Sequence, residues 1–586
     1  MFQILTPDLG STRRLLWTAA AVCLAVALSL ALVYGPGLAN GLGDTDDAMR
    51  LALVRDLMHG RGWYDQSIGR LQPPLGLVMH WSRLIDGGIA GLALVLTPWV
   101  GAQGAETGAR LIWPMLWIVP AVLSALMLAR RLGGGRAVLP AAVMLAVGLP
   151  LYVQFAPGRV DHHNAQIALC LLAAAGAAQG GVRGAVVAGA AVALGLAVGL
   201  EALLFCALIA GAIALRLVFD RQGRRPAIAF GLSLAAASGA AFLIQTPPSR
   251  WGLAICDAMG ANLVLGLMAG GLGLAAASLM RGSASRPARG LAVAGAGAAA
   301  LAAYLGLDPH CIHGPMAEID PRLYPLWLGH VQELMSWPEL YAHYPDHVVV
   351  AAASAALGLV ALGFALSASS RRRDFAWLLA GALFVLAAIM AASAARMESY
   401  LLWFAAPLLA AALAELARLK FNSALAPTLG LAVALSTAPM DVLAQSLFAR
   451  QDAAAAAINQ ADHCYDAGAY TRLATLPPGL VLSEIDLGPY ILARTPHSVL
   501  NAPYHRMSWG ILAAQAALTA QPDSARAKVR ALGVSVVAAC PAHADLFNHV
   551  NAPQGSLLRR LDQGAPPAWL EPLSAPGEPL RLYRVR

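Results

Sequence analysis

Charged residues are scarce in this sequence. Only 12% of the 586 residues are Asp, Glu, Lys or Arg, whereas 58% are hydrophobic and the mean hydropathy is +0.62. A soluble domain of this size needs more charge to keep its surface in water, so the composition excludes a soluble globular protein. It predicts instead a chain whose outer surface faces lipid.

Internal repeats are also missing, apart from Ala/Gly/Leu-rich segments that let helices pack closely. The net charge of +8 comes from arginines placed between apolar runs. The preference of Lys and Arg for the cytoplasmic ends of membrane helices, together with anionic lipid head groups, explains this charge. No nucleic-acid partner is required.

Apolar runs of about 17–22 residues recur along the first three quarters of the chain, long enough to cross a bilayer as helices. The first run follows Arg13 and Arg14 and lacks a small-x-small cleavage site, so we interpret it as a retained helix. The predicted spans lie near 15–35, 110–128, 137–153, 165–180, 185–200, 202–219, 226–244, 259–280, 290–306, 348–368, 375–393, 399–417 and 424–440. We therefore predict a polytopic α-helical membrane protein with about 13 transmembrane helices.

Arginine clusters predict the orientation of these spans. The clusters are Arg130, Arg131 and Arg136; Arg216, Arg221, Arg224 and Arg225; Arg281, Arg286 and Arg289; Arg371 to Arg373; and Arg418 with Lys420. With these loops in the cytoplasm of a bacterium, the N-terminus is cytoplasmic and the C-terminus is periplasmic. The external segments are then 36–109, 154–164, 245–258, 307–347 and 441–586. Nucleotide sugars and ATP are scarce there, so an activated substrate would arrive attached to a lipid.

Residues 441–586 have a different composition, with frequent charges and prolines. Short β-like runs lie at 479–483 and 534–538, and helical patterns lie at 509–518 and 523–532. We predict a transmembrane domain over 1–440 and a periplasmic α/β domain over 441–586.

Four of the seven cysteines fall on the predicted oxidising side of the membrane. Cys256 with Cys311 and Cys464 with Cys540 are candidate disulfides, although sequence alone leaves the connectivity open. Cys23, Cys170 and Cys206 lie within predicted spans and are interpreted as packing residues.

The first external segment opens with Asp44-Thr-Asp-Asp47, directly after the first span. These carboxylates repel one another unless a cation lies between them. A divalent metal meets that need, because hard cations prefer carboxylate oxygen. The alternative is a solvated acidic turn that caps a helix from Ala48 to Met58.

The second external loop contains Asp161-His162-His163. An Asp-x-His spacing places a carboxylate and an imidazole within reach of one ion, whereas the alternative is a pair of interfacial hydrogen-bonding histidines. Both loops lie on the same side at span ends, so together they favour a shared metal site.

In this order along the chain, the motifs resemble the catalytic subunit of oligosaccharyltransferase, in its single-chain archaeal and bacterial forms, within the C-type (GT-C) glycosyltransferases. The matching segments are Asp44 to Arg50, Gln72 to Gly76 with Met79 to Asp86, Val160 to His163, His330 to Glu333, and Arg396 to Tyr400. The resemblance implies a GT-C fold with 13 spans and a periplasmic C-terminal domain, in agreement with the orientation predicted from the arginines.

One motif departs from the family. The Trp-Trp-Asp-Tyr-Gly sequence has its counterpart in Glu484-Ile-Asp486-Leu-Gly488, which keeps the aspartate and glycine but lacks both tryptophans. In the family these residues hold the hydroxyl of the acceptor sequon. Sugar transfer remains the expectation, but asparagine glycosylation does not, and the acceptor is a protein, a polysaccharide or a lipid.

The resemblance implies metal-assisted, inverting transfer from a polyprenyl phosphate or diphosphate donor. Mg²⁺ or Mn²⁺ would be bound by Asp44, Asp47, Asp161 and His163. Asp44, Asp46, Asp47 or Glu333 would orient or deprotonate the acceptor, and the sequence does not decide among the first three. Arg396 would bind the donor phosphate, with an interfacial anchor as its alternative.

Further candidates have no assigned part in the transfer step. Asp486, His505 and Arg506 are predicted to face the acceptor, and Glu201 is an ionisable residue at membrane depth. His80 and His162 accompany the motifs, and the His- and acid-rich segment 310–322 is interpreted as a loop.

Other functions remain open. A monosaccharide transferase using a polyprenyl-monophosphate sugar would share the motifs. A transporter or flippase predicts charges in the middle of spans, and few are present. A non-catalytic assembly factor would have lost one of the two acidic loops, and both are present.

Overall fold

A computed structural model describes residues 6–280, 284–448, 463–543, 549 and 551–586. Helices account for most of this part of the chain. Their bounds are α1 Thr12–Tyr34, α2 Thr45–Met58, α3 Arg83–Leu116, α4 Ile118–Gly133, α5 Val138–Val147, α6 His163–Gln179, α7 Val182–Val198, α8 Leu203–Phe219, α9 Arg224–Gln245, α10 Ala261–Ser278, α11 Arg286–Leu305, α12 Leu323–Leu326, α13 Trp337–Tyr341, α14 Pro345–Ser367, α15 Phe375–Ser393, α16 Glu398–Phe421, α17 Leu425–Ala434, α18 Thr437–Phe448, α19 Thr471–Ala474, α20 Leu487–Arg494, α21 Ser508–Leu518, α22 Pro522–Ala531 and α23 Leu557–Asp562.

The protein is a multi-pass membrane protein. Within the described ranges, eight helices are long and apolar enough to cross a membrane, or ten if each of two bent pairs is one span. Every predicted span coincides with a helical segment, but this count is lower than the predicted 13. Helices α6, α7 and α8 have 17 residues each, or about 25 Å, which is short of the ~30 Å hydrocarbon core.

The predicted loop 36–109 is largely helical. It contains α2 and the first half of α3, which kinks at Gly101 with φ +70°. The half before the kink exposes Leu94, Val95 and Trp99, whose apolar side chains need a lipid-like environment. The predicted external segment 36–109 thus contains an apolar helix that the sequence analysis did not predict, and its place outside the membrane stays a prediction.

Three of the predicted cytoplasmic loops meet at one end of the helix bundle. Arg131 pairs with Asp374 at 3.1 Å, and Arg136 donates to the hydroxyl of Ser423 at 3.4 Å. These contacts join the basic loops around 130–136, 371–374 and 418–423. They agree with a common side for these loops, while the orientation in the membrane stays a prediction.

The C-terminal region holds a five-stranded mixed sheet in the order β4-β3-β5-β7-β6. The strands are β3 Leu480–Leu482, β4 Ser498–Val499, β5 Val534–Ala539, β6 Leu570–Pro572 and β7 Arg581–Val585; a separate hairpin pairs β1 Ser67–Ile68 with β2 Leu77–Val78. Strand β3 is parallel to β4 and β5, whereas β7 is antiparallel to β5 and β6. The predicted strands at 479–483 and 534–538 and both predicted helices are confirmed. The domain boundary at 440 stays a prediction.

The C-terminal region docks on the first external segment through backbone contacts. Leu71 forms a parallel bridge with Val499, and the amide of Gln72 donates to the Val499 carbonyl at 2.8 Å. Arg70 donates to the carbonyls of Leu492 and Thr495 at 3.0 and 2.9 Å. The edge of the sheet is therefore continued by a segment from near the start of the chain.

Both candidate disulfides are present. Cys256 pairs with Cys311, and Cys464 pairs with Cys540. The first connects the loop before α10 to the segment after α11, and the second connects the start of the C-terminal region to the end of β5. Cys23, Cys170 and Cys206 are free.

Candidate active site

One large cavity of about 980 Å³ lies where the predicted external segments meet the C-terminal region. Its walls come from segments that are far apart in sequence. Candidate residues that line it are Asp44, Asp46, His80, His162, His163, Glu201, Glu333, Arg396, Asp486, His505 and Arg506. Asp47 and Asp161, by contrast, lie behind the wall and are buried.

The N-terminus of α2 organises the first acidic cluster. Asp44 caps the helix, because its Oδ1 accepts from the amides of Asp46 and Asp47 at 3.0 Å each. Asp47 completes the capping box by accepting from the amide of Asp44 at 3.2 Å. The helix cap that was the alternative for this motif is therefore present. Of the three aspartates, only Asp46 does not use its carboxylate in the cap.

Asp47 joins the two acidic loops. Its Oδ1 accepts from the backbone amide of Asp161 at 2.9 Å, and its Oδ2 accepts from Arg159 at 3.0 Å. Both carboxylate oxygens are thus engaged within the protein. In this arrangement Asp47 positions Asp161, and its predicted role as a metal ligand or base stays a prediction.

Arg159 is the cation between the first-loop carboxylates, and sequence reasoning missed it. It forms ion pairs with Asp44 and Asp47 and donates to Gln154 at 2.9 Å. The signal was available, since three close carboxylates require a positive charge and Arg159 precedes Asp161 by two residues. A metal is therefore not needed between Asp44 and Asp47.

Asp161 is held from behind by Arg50, which is fully buried. The Arg50 guanidinium lies 3.2 Å from Asp161 and 2.8 Å from Asp86, and it stacks on the ring of Trp81 at 4.4 Å. The remaining oxygen of Asp86 pairs with the buried Arg83 at 3.0 Å. The first motif ends in Arg50, and this network shows the role of that arginine, because Arg50 orients Asp161 of the second motif.

His163 begins α6 and points one ring nitrogen at each of two carboxylates. Its Nδ1 lies 2.7 Å from Glu201, and its Nε2 lies 3.3 Å from Oδ2 of Asp161. A carboxylate behind a histidine sets the ring orientation and the tautomer. Glu201, a candidate without a motif, therefore has a positioning contact to a motif residue.

The residues present fit a divalent cation beside Asp161. Ligand atoms of Asp161, His162 and His163 lie within 4.8 Å of one another. Oδ2 of Asp161 is buried and, although Nε2 of His163 is 3.3 Å away, it makes no hydrogen bond among the described residues. A buried carboxylate oxygen without a donor is otherwise unfavourable. Asp46 lies on the cavity side, and the hydrogen bonds of the first acidic cluster use its backbone amide but not its carboxylate.

The pKa values of Asp44, Asp46 and Asp161 are shifted in different directions. Burial and the negative charges of Asp161 and Asp44 raise the pKa of Asp46 well above its ordinary value. Burial acts on Asp44 and Asp161 too, but the pKa of each is lowered, by Arg159 for Asp44 and by His162, His163 and Arg50 for Asp161. Burial and the charges of Asp44 and Asp161 raise the pKa of Asp47 as well, but Asp47 is buried behind the wall, so Asp46 is the carboxylate with a raised pKa that faces the cavity.

Glu333 and Arg396 face the cavity as a weak ion pair at 3.5 Å. Nε of Arg396 is buried and has no hydrogen-bond partner among the described residues. The two sequence motifs are therefore brought together at the cavity wall, and the guanidinium has donor capacity to spare.

The C-terminal candidates separate in space. Asp486 lines the cavity, and burial raises its pKa to about 6. His505 and Arg506 also line the cavity, but they contact Asp257, at 2.6 and 2.7 Å. Asp257 was not a candidate, although it lies in a predicted external loop beside Cys256.

Glu484, the counterpart of the family's first tryptophan, lies away from the cavity. It contacts His543, accepts from the amide of Cys540 at 2.8 Å, and lies 3.5 Å from His549. These contacts outweigh burial and lower the pKa of Glu484 to about 2. The residue stabilises the C-terminal region.

We expect the C-terminal region to lose stability as the pH rises from about 6.5 to about 9. Burial would lower the pKa of His549, but its contacts with Asp562 and Glu484 raise it to about 9. A folded-state pKa above the ordinary 6.5 gives stability that is complete below pH 6.5 and is lost as the pH passes 9. Hydrogen–deuterium exchange of the β3 amides, corrected for intrinsic exchange, measures this loss of stability.

The Asp562→Asn protein should show a smaller change over the same pH range, because His549 loses one of its two acidic partners. Peptides from α15 serve as the internal control, since they lie outside the sheet. Equal protection of β3 at both pH values in the unmodified protein would contradict the assignment.

Comparisons with known proteins give matches only at the level of structure. No protein-family model and no curated protein matches the sequence. The oligosaccharyltransferase of Archaeoglobus fulgidus in its apo form matches with a TM-score of 0.66 and 15% identity, over 90% of this chain and 70% of that chain. The A. fulgidus AglB complex with an inhibitory peptide and a dolichol-phosphate matches with a TM-score of 0.65 and 14% identity, over 97% and 74%.

A third structure, the A. fulgidus enzyme with Zn and sulfate, matches with a TM-score of 0.59 and 15% identity, over 97% of this chain and 73% of that chain. The chain thus has a GT-C-like membrane fold, similar to that of an archaeal oligosaccharyltransferase. At such low identity the likeness concerns the fold, so the function has to be argued from the site.

Proposed function

We propose that this protein is a membrane glycosyltransferase that moves a saccharide from a polyprenyl phosphate or diphosphate carrier to an acceptor on the periplasmic side. The observation that carries the proposal is the shared cavity. It places an uncommitted carboxylate, Asp46, and a cation with free donors, Arg396, around about 980 Å³ of space. That volume suits a saccharide with its phosphate group.

The donor end of the cavity is assigned to Arg396. A sugar phosphate gains negative charge on its leaving oxygen as the glycosidic bond breaks, and a guanidinium stabilises this charge with fixed donors. Glu333 is the only acidic group in an ion pair with Arg396 within the described ranges, and at 3.5 Å that contact is weak. A dolichol-phosphate bound to AglB agrees with a lipid phosphate as the ligand of this fold.

The acceptor end is assigned to Asp46. Its carboxylate faces the cavity, takes no part in the helix cap and has a raised pKa, so it has the properties of a group that takes a proton from an attacking hydroxyl or amine. Glu333 lies on the same cavity and would orient the acceptor. Asp44 and Asp47 are left as positioning residues, because Arg159 and backbone amides occupy their oxygens.

A divalent cation fits beside Asp161, His162 and His163, with Glu201 holding His163 in place. When bound there, it would act as a Lewis acid that neutralises charge on the leaving phosphate. Its predicted identity, Mg²⁺ or Mn²⁺, stays a prediction.

The acceptor is proposed to be something other than an asparagine sequon. Of the two positions that carry tryptophan in the family, Glu484 is buried among histidines and Ile485 contributes an apolar wall to the cavity. Neither offers the indole that the resemblance would require for the sequon hydroxyl. A polysaccharide, a lipid or another protein site remains as the acceptor class.

Deletion of the gene is expected to make a polyprenyl-linked saccharide accumulate and one surface glycoconjugate disappear, as measured by mass spectrometry. Wild type should restore both, and Asp46→Asn should restore neither because the proton acceptor is lost. Asp56→Asn is the matched control, since Asp56 lies in the same helix and contacts Arg61 away from the cavity.

Two donors are possible: one sugar on a polyprenyl monophosphate, or a longer saccharide on a polyprenyl diphosphate. The mass of the accumulated lipid distinguishes them. Unchanged lipid carriers and glycans in the deletion strain would refute the transferase proposal. Full complementation by Asp46→Asn would remove Asp46 from its assigned role.

The Arg396→Gln protein should need at least about tenfold more donor for half-maximal rate, since a charged hydrogen bond contributes roughly 1.5–3 kcal/mol. The acceptor concentration for half-maximal rate should change little. Steady-state transfer with purified donor measures both values. Arg322→Gln is the control because Arg322 is exposed and pairs with Asp320 outside the cavity lining. Equal donor dependence in both variants would contradict the assignment.

A further inference from the structure

A second group of metal-ligating side chains lies on the same cavity. Ligand atoms of His80, Asp257 and His505 lie within 4.8 Å of one another. All three residues line the cavity, and none belongs to the Asp161 cluster. The transfer mechanism above uses none of them.

The three residues come from three separate parts of the chain. His80 follows the β1–β2 hairpin, Asp257 follows the disulfide-bonded Cys256, and His505 lies in the C-terminal region. The rings of His80 and His505 are 4.6 Å apart, and Nε2 of His505 is 2.6 Å from Asp257. Nδ1 of His80 is buried without a hydrogen-bond partner among the described residues, so it has a nitrogen to offer.

Arg506 supports the carboxylate of this cluster. Its Nε donates to Oδ2 of Asp257 at 2.7 Å, and Nη2 donates to Oδ1. Nη1 donates to the Val78 carbonyl at 2.9 Å, which fixes the guanidinium. Metal-binding carboxylates are commonly oriented by a hydrogen-bonding partner of this kind.

We propose that His80, Asp257 and His505 form a second divalent-metal site that binds a zinc-class ion. Two imidazoles and one carboxylate are the ligand types of zinc sites, whereas Mg²⁺ prefers oxygen ligands. Three protein ligands leave the fourth position open toward the cavity. The ion would also connect the C-terminal region, through His505, to the predicted external segments that carry His80 and Asp257.

The experiment is metal counting on the purified full-length protein in detergent. The protein is stripped with a chelator, loaded with Zn²⁺ and freed of weakly bound ions, and its zinc per chain is measured by mass spectrometry. His505→Ala and Asp257→Asn are each expected to hold about one ion fewer than wild type. His343→Ala is the matched control, because His343 lines the same cavity outside the cluster.

Arg506→Gln should keep all three ligands and weaken zinc binding about 10- to 100-fold, because only the supporting partner is lost. Co²⁺ absorption in the visible range, titrated against zinc, measures this shift, and circular dichroism shows that each variant is folded. The proposal is overturned if His505→Ala and Asp257→Asn hold as much zinc as wild type, or if His343→Ala loses as much as they do. Neither result bears on sugar transfer, so this proposal and the transferase proposal fail separately.

Discussion

Replacement of Arg50 by Met is expected to lower the free energy of unfolding by about 3–5 kcal/mol and to abolish sugar transfer. Arg50 is fully buried and forms ion pairs with Asp86 at 2.8 Å and Asp161 at 3.2 Å. Methionine fills a similar volume but leaves Asp161 without its supporting cation. Removal of one partner from a buried ion pair is costly because the other charge stays buried and uncompensated.

Arg55→Met is the matched control for this experiment. Arg55 lies in the same helix and pairs with Glu106 at 2.7 Å, but both side chains are about one-third exposed. A solvated pair contributes roughly 0–1 kcal/mol, so the loss should be small. Equilibrium unfolding in mixed detergent micelles measures both variants. Losses of similar size would show that the Arg50 network is not a buried structural unit.

Gly43→Ala is expected to reduce transfer at least about 100-fold, through geometry alone. Gly43 has φ +81°, and a Cβ atom there would lie 2.3 Å from Oδ2 of Asp47 and 2.8 Å from its Cβ. Asp47 would have to move, which breaks its bonds to the amides of Asp44 and Asp161 and to Arg159. A displacement of about 1 Å in a catalytic group costs on the order of 10² in rate.

The Gly60→Ala variant tests whether backbone strain, rather than the contact of the new Cβ with Asp47, explains the effect of Gly43→Ala. Gly60 also has a positive φ, +95°, but no atom lies within 4 Å of its built Cβ. Its alanine variant therefore suffers the conformational cost without the displacement and should retain most activity. Initial rates under saturating donor measure both. If the two variants lose activity equally, strain rather than the position of Asp47 explains the effect.

The fold was largely predictable from hydropathy and arginine placement. Each predicted span coincides with a helical segment, and the C-terminal strands at 480–482 and 534–539 lie where alternating apolar residues placed them. The apolar half-helix before Gly101 was not predicted, because its apolar run contains Pro98 and is shorter than a typical span. The docking of Arg70 and Gln72 on the C-terminal sheet is a tertiary contact without a local signal.

Most residues of the candidate site were predicted from the sequence, but the contacts between them were not. Asp46, His163, Glu333 and Arg396 were brought to one cavity, as their motifs implied. Arg159 was missed because it lies just before the second acidic motif, where a basic residue is indistinguishable from an ordinary loop residue until its partners are known. Asp257 lacks any motif, and only the fold brings it to His505. Sequence patterns name residue types, whereas pairing across loops depends on the packed structure.

The docking of the C-terminal region on the first external segment has a consequence for biosynthesis. The Tyr490 hydroxyl donates to the Gly43 carbonyl across 447 positions, and Tyr504 donates to Thr45 across 459. Translation at roughly 5–20 residues per second separates these partners by roughly 20–90 s. The segment that carries Asp44 and Asp47 is thus synthesised well before the residues that support it. A ribosome-bound chain therefore lacks a complete cavity, and the proposed sugar transfer begins only after the C-terminal region has been synthesised and has docked.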